Sequence, residues 1–203
     1  MRKIGLILCL LSLFMGNVVA QKKALIVIDI QNDYFKGGAM ELVGSDEAAA
    51  NAEKVIEDFR KNNLPVVYIQ HISEYKGATF FLPNTDGNKI NDAVKPSSKD
   101  KIIIKHYPNS FRETELLEYL KKNKVDELVI VGMMTHMCVE ATTRAANDLG
   151  FKCTLISDAC ATRDVEFKGV TVPAKYVQAA YLSALNGAYA TIIKTQDFSL
   201  LKK

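Results

Sequence analysis

The sequence has almost no excess of charge. Its 26 lysines and arginines stand against 23 acids, a formal net charge of +3. Arg2 and Lys3 supply two of those charges, in a first stretch of 20 residues that holds no acid, so the rest carries 24 basic and 23 acidic residues. Such a balance offers no electrostatic footprint for nucleic acid, and any ligand must be read from a site. The apolar N-terminal run is short for a membrane span, so a permanent membrane helix is the lesser expectation there. The 12 residues from Ile4 to Met15 make about 18 Å of helix against a roughly 30 Å hydrocarbon core. No C-x-x-C pair occurs, which argues against a thiol redox protein working through Cys138 with Cys153 or Cys160. Repeats and internal linkers are missing too. With 48% hydrophobic and 24% charged residues, the 203-residue chain reads as one globular domain behind a leader.

That leader has a basic start, an apolar run, and Val18 and Ala20 at the −3 and −1 positions of a cut before Gln21. This is the layout of a cleavable secretory signal. Cys9, in mid-run, is misplaced for a lipoprotein cut. The expectation is a signal peptide over 1–20, a mature domain over 21–203 in the periplasm or secreted, and no membrane contact after cleavage. The mature chain keeps Cys138, Cys153 and Cys160, and an odd number leaves at least one thiol unpaired. Cys153 and Cys160 would bridge only across a sharp turn, because seven extended residues span more than about 20 Å. Buried, inert thiols are expected there.

Along the mature chain, apolar runs of strand length alternate with helical periodicity. Lys23–Asp29, Pro65–Gln70, Lys101–Lys105, Glu127–Val131, Lys152–Ile156 and Ala190–Lys194 read as strands. Helices are expected over Ser45–Asn62, with Ser45 as N-cap, and over Thr114–Asn123, 137–149 and Val172–Gly187. Gly150 suits the position after the third helix. Strands apolar on both faces and separated by helices imply a parallel sheet covered on both sides, a three-layer α/β/α domain. The long irregular stretch Ile72–Asp100 suggests a functional loop, with Phe80 and Phe81 either capping a pocket or packing beneath it.

Ligands of open α/β sheets bind beyond the carboxyl ends of the strands. Asp29, Gln70–His71, Lys105–His106, the segment Gly132–Cys138, and Ser157–Asp158 lie at those ends. Cys138 opens a helix, where unpaired N–H groups and the dipole favour thiolate. Lys105 would push the same way, and Asp29 is placed to take the thiol proton. Backbone N–H groups around residues 134–138 are candidates to hold an oxyanion. Each residue has an ordinary reading as well: a core thiol, a turn acid, a solvated lysine. Their joint position at the ends of one sheet's strands lifts the chemical reading.

The motif Asp29-x-Gln31-Asn32-Asp33, Lys105 after the third strand, Gly132–Val139 (GMMTHMCV) and Asp158–Thr162 (DACAT) together resemble the isochorismatase-like cysteine hydrolases, over about Lys23 to Thr195. The resemblance implies a six-stranded parallel sheet in order 3-2-1-4-5-6. It implies Asp29 as general base, Lys105 as electrostatic partner and Cys138 as nucleophile. A cis peptide at Met133–Met134 would turn the Met134 N–H toward that of Cys138 as an oxyanion hole. Members with the cysteine cleave small amides, ureides or carbamoyl groups through a thioester; others cleave the vinyl ether of isochorismate. Nicotinamidases of the family add a metal held by histidines after the second strand, where this chain offers only His71. No metal or other cofactor is therefore expected, and nicotinamidase is a lesser alternative. Gln31, Phe35, His71 and Tyr107 are candidate substrate contacts, with His71 equally readable as a structural histidine and His136 as a loop residue. A homodimer or homotetramer is expected. Strand 3 lies two strands from strand 1, roughly 10 Å away, so Lys105 must lean inward to reach Asp29.

Overall fold

The computed structural model describes residues 22–200; the expected signal peptide and its cut before Gln21 lie outside the described residues. The strands are β1 (Lys22–Ile28), β2 (Val66–His71), β3 (Lys101–Lys105), β4 (Val125–Met133), β5 (Lys152–Ala161), a short pair β6 (Val165–Phe167) and β7 (Val170–Val172), and β8 (Thr191–Ile193). Helices α1 (Ser45–Lys61), α2 (Leu116–Lys122), α3 (Glu140–Asp148) and α4 (Ala174–Leu185) connect them. The main sheet is parallel throughout, in order β3-β2-β1-β4-β5-β8. This is the order 3-2-1-4-5-6, with β8 as the sixth strand because an antiparallel hairpin intervenes. No helix among the described residues is long and apolar enough to cross a membrane.

The two-residue period of each strand sorts its side chains onto two cores. Leu25, Val27, Val66, Tyr68, Val129 and Val131 meet Ala48, Ala52, Val55, Ile56 and Phe59 of α1 on one face. Ala24, Ile26, Ile28, Val67, Ile69, Leu128 and Ile130 meet Leu116 and Leu120 of α2, Ala146 of α3 and Leu185 of α4 on the other. Full burial of a side chain such as Phe59 or Leu120 contributes about 1.5–3 kcal/mol, which is why α2 holds with only seven residues.

Local chemistry moved several boundaries. Helix α1 is capped by Gly44, whose φ of 75° lies in the left-handed region, and Ser45 is a buried first helical residue instead of the cap. The third helix begins as a π-type turn over Thr135–Val139 before continuing as α3. Pro173 starts α4 one residue after β7 ends, so Val172 is strand rather than helix. Strand β5 runs five residues past Ile156, and its ladder with β4 slips between Ile130 and Gly132, so that Gly132 pairs with Cys160. Among the described residues, Cys138, Cys153 and Cys160 are all buried and unpaired.

One glycine governs how closely the central strands meet at their carboxyl ends. Gly132 has φ +132°, and a Cβ there would sit 2.1 Å from the Ile28 carbonyl oxygen. That contact is with backbone, which has no rotamer by which to yield. Gly132→Ala should therefore cost at least about 3 kcal/mol, read by urea unfolding, whereas wild-type stability in that variant would show that β1 and β4 separate easily.

Candidate active site

Asp29 follows the last residue of β1. Strand alternation would send its side chain to the α1 face with Val27, but its backbone turns left-handed (φ 49°) and the carboxylate meets Lys105 instead. Aspartate is among the residues that tolerate this region. Lys105 ends β3 in direct register with His71 at the end of β2, so the two share a sheet face. The lysine reaches across His71 to the centre of the sheet, which is how an edge strand supplies a group to β1.

The Lys105 ammonium has no exposure and three partners. Nζ lies 2.7 Å from Asp29 Oδ2, 2.7 Å from His71 Nδ1, and donates to Cys138 Sγ at 3.3 Å. The Asp29 carboxylate is fully buried and meets the ammonium as an ion pair, with the Cys138 thiol also within its reach. Burial works to lower the Lys105 pKa, but the charge of Asp29, and that of Cys138 where it ionises, prevail and hold it above the usual lysine value. His71 is the reverse: burial, then the Lys105 charge, depress it to about 4. At neutral pH the imidazole is uncharged, with Nδ1 as the acceptor.

Cys138 sits in the π-type turn after the cis peptide Met133–Met134 and is 5% exposed. Here the expectation of a lowered thiol pKa is corrected. Burial, then the negative charge of Asp29, push it well up, and Lys105 only partly opposes them. The sulfur at rest is a neutral thiol beside a carboxylate. A helix-start N–H can favour thiolate only if desolvation is smaller, and in this enclosed turn it is not.

The surroundings of His71 absorb a residue first read as a substrate contact. Gln31 is fully buried; its Nε2 donates to the carbonyls of His71 (2.9 Å) and Asn88 (2.7 Å), and its Oε1 accepts the His71 N–H (2.7 Å). With both N–H groups and its carbonyl engaged, Gln31 is a brace for the end of β2, not a ligand group. Asn88 Nδ2 donates to the carbonyls of His71 and Phe81. Phe81, fully buried at φ 56°, packs on His71 and Tyr34, so packing beneath the loop is its role. Its N–H donates to Asp33 Oδ2 at 2.6 Å.

Phe35 is buried in the α1-side core and borders a surface cleft of about 600 Å³ with Asn32, Gly38 and Asp86. Tyr107 is half-buried under the Arg112 guanidinium, 3.6 Å from its ring centre. Among the described residues, neither makes a hydrogen bond or ring contact that joins it to Asp29, Lys105 or Cys138. His136 lies in the π-type turn of the third helix instead of a loop; its Nδ1 bonds Thr162 Oγ1 (2.5 Å) and its ring meets that of Tyr181 edge-on. Asp158 accepts from the N–H and hydroxyl of Thr195, both at 2.8 Å, tying the chain after β8 to β5. Sequence reasoning missed Tyr34, whose buried hydroxyl is raised well above the ordinary phenol by burial and then by the charges of Cys138 and Asp29. Its place beside the Asp29-x-Gln31-Asn32-Asp33 motif was the available signal.

Asp29, His71 and Cys138 bring donor atoms within 4.8 Å of one another, the spacing of a metal site. The donors do not fit one, because the same three groups already surround the Lys105 ammonium, and a divalent ion would have to share that space with a fixed positive charge.

The Isochorismatase domain family model matches residues 23–196. The uncharacterized isochorismatase family protein YddQ of Bacillus subtilis (strain 168) is 47% identical over 175 residues, covering 86% of this chain and 97% of the relative. Among solved structures, an isochorismatase from Pseudomonas putida KT2440 aligns at TM-score 0.82 and 31% identity, covering 87% of this chain and 90% of its own. N-carbamoylsarcosine amidase from Thermoplasma acidophilum aligns at 0.76 and 25%, covering 88% and 99%.

The depressed His71 pKa makes stability depend on pH. An unfolded chain takes the His71 proton near 6.5, but the folded one refuses it until about 4. The unfolded state binds more protons across that window, so stability falls as pH drops through it. Urea unfolding at stepped pH should show this slope in the wild type and a shallower one in His71→Asn; identical slopes would contradict a buried neutral imidazole.

Proposed function

The chain belongs to the isochorismatase family, and from that premise we propose that it is a cysteine hydrolase cleaving the C–N bond of a small amide, ureide or carbamoyl substrate without a metal. The observation that carries the proposal is a thiol, a carboxylate and an ammonium buried together, the ammonium in contact with both of the others. That one structural relative is by name an amidase supports it further.

In the reaction, the Cys138 sulfur attacks the substrate carbonyl carbon while its proton passes to Asp29. Because the thiol is neutral at rest, transfer accompanies C–S bond formation: Asp29 is neutralised, Lys105 steadies the negative charge that develops on sulfur as its proton leaves, and that charge passes on to the carbonyl oxygen. The N–H groups of Met134 and Cys138 are the proposed donors to the tetrahedral oxyanion. Asp29 then returns the proton to the departing nitrogen, the C–N bond breaks, and a thioester remains. Water, deprotonated by Asp29, attacks the thioester carbon, the C–S bond breaks, and the leaving sulfur takes that proton back from Asp29, which restores the thiol and the carboxylate. A vinyl ether of the isochorismate type has no acyl group to place on sulfur, so the Asp29–Cys138 proximity favours C–N cleavage.

The test is a panel of small amides, ureides, carbamoyl compounds and isochorismate, with mass analysis of the quenched protein. Turnover with an acyl adduct on the Cys138 peptide is expected, and Cys138→Ala should lose more than about a thousandfold in kcat. Isochorismate cleavage with no adduct, or wild-type turnover by Cys138→Ala, would overturn the proposal. Asp29→Asn should lower kcat about 10²- to 10⁴-fold. It should also reduce the unfolding free energy by about 3–5 kcal/mol, because it strands the buried ammonium; an active, equally stable variant would contradict the role of Asp29.

A further inference from the structure

A lysine ammonium can donate in three directions, and in a site without exposure each direction left unused costs free energy. One direction at Lys105 faces Asp29 and one faces Cys138; the third meets His71 Nδ1, as close as the carboxylate itself. Asp29 is the stronger attractor. With two partners only, the ammonium would gain by closing fully on the carboxylate and withdrawing from the sulfur. A second carboxylate would pull it the other way and add a charge. A neutral acceptor on the strand between β1 and β3 does neither.

We propose that His71 is a positioning residue that holds the Lys105 ammonium between Asp29 and Cys138, and that it does not serve as a metal ligand or a substrate contact. The assignment rests on the cysteine-hydrolase reading of the same site. Four features of the fold serve it. The β2–β3 register sets His71 directly beside Lys105. Gln31 grips both the N–H and the carbonyl of His71, and it lies two residues beyond Asp29, so the strand that supplies the acid also fixes the histidine. Asn88 adds a second donor to that carbonyl. Phe81, tethered to Asp33, packs against the ring. The charged and titratable groups facing the imidazole are Lys105, Asp29 and, more distantly, His106, with the Cys138 thiol adjoining. With Nδ1 accepting from the ammonium, the ring carries its proton on Nε2.

The experiment compares His71→Leu, His71→Asn and His71→Gln in the full protein. Asn offers its oxygen near the Nδ1 position, and Gln offers it nearer Nε2. Two readouts are taken: steady-state kinetics, and the rate at which iodoacetamide alkylates Cys138 across pH, followed by mass of the Cys138 peptide. His71→Leu should lower kcat roughly 10- to 100-fold with KM within about twofold. Its alkylation should slow about tenfold at fixed pH, as expected when a thiol loses its cation and its pKa rises by about one unit. His71→Asn should recover to within about threefold of wild type on both readouts, and His71→Gln should not.

A raised KM with unchanged kcat would make His71 a substrate contact and overturn the proposal, as would unchanged alkylation in His71→Leu. Should His71→Leu fail to fold, the contrast between Asn and Gln decides alone, and equal behaviour of the two overturns the assignment. If the wild type turns over none of the substrates, the function proposal fails, while the alkylation series still judges His71.

Discussion

A single buried ammonium organises the carboxyl-end rim of this protein's sheet. Moving an isolated lysine charge out of water costs several kcal/mol even after relaxation, and the cost is recovered only with well-placed partners. Lys105 has an acid, an imidazole and a thiol within 3.3 Å. Such an arrangement is a poor way to gain stability, since packed apolar groups would serve as well or better. In the proposed reaction its merit is electrostatic preorganisation: a fixed positive charge beside the sulfur that gives up its proton, in a place where water does not screen it.

Much of the surrounding structure exists to bring that cation to the middle of the sheet. Edge strand β3 would otherwise present Lys105 far from β1. The His71 pairing carries it over β2, and the left-handed backbone at Asp29 turns the acid toward it. Gly132 lets β4 pass close to Ile28, so that the turn bearing Cys138 lands over the same spot. The long loop from Ile72 to Asp100 contributes by anchorage. Asp33 accepts from the N–H of Phe81, Asn88 joins Phe81 to His71, and Gln31 completes the clamp. The motif after β1 thus divides its labour, with Asp29 paired to the ammonium and Gln31 and Asp33 in the framework.

The layer architecture was legible in the sequence because doubly covered strands must be apolar on both faces, and KALIVID, PVVYIQ and ELVIV are. Asp29, Lys105 and Cys138 were legible as a group because topology places every strand's carboxyl end on one rim. The His71–Lys105 contact was not, since it depends on register, which apolar runs of this kind leave open. Gln31 read as a ligand because an exposed amide and a saturated one are the same letter. The strands Val165–Phe167 and Val170–Val172 are too short to show alternation, and Val172 therefore read as the start of a helix. The thiol acidity was misjudged for a physical reason: N–H groups and a cation were visible in the sequence, but the burial that outweighs them depends on the folded turn.

The account stands on a neutral thiol that becomes nucleophilic only as its proton leaves for Asp29. Ultraviolet thiolate absorbance, taken as the difference between the protein and its Cys138→Ala variant and followed from acid to alkaline pH, tests this most directly. The account predicts no Cys138 thiolate signal at neutral pH, with the signal appearing only well above the ordinary cysteine range. A full thiolate step below neutrality would mean a preformed ion pair with Lys105 and would contradict it.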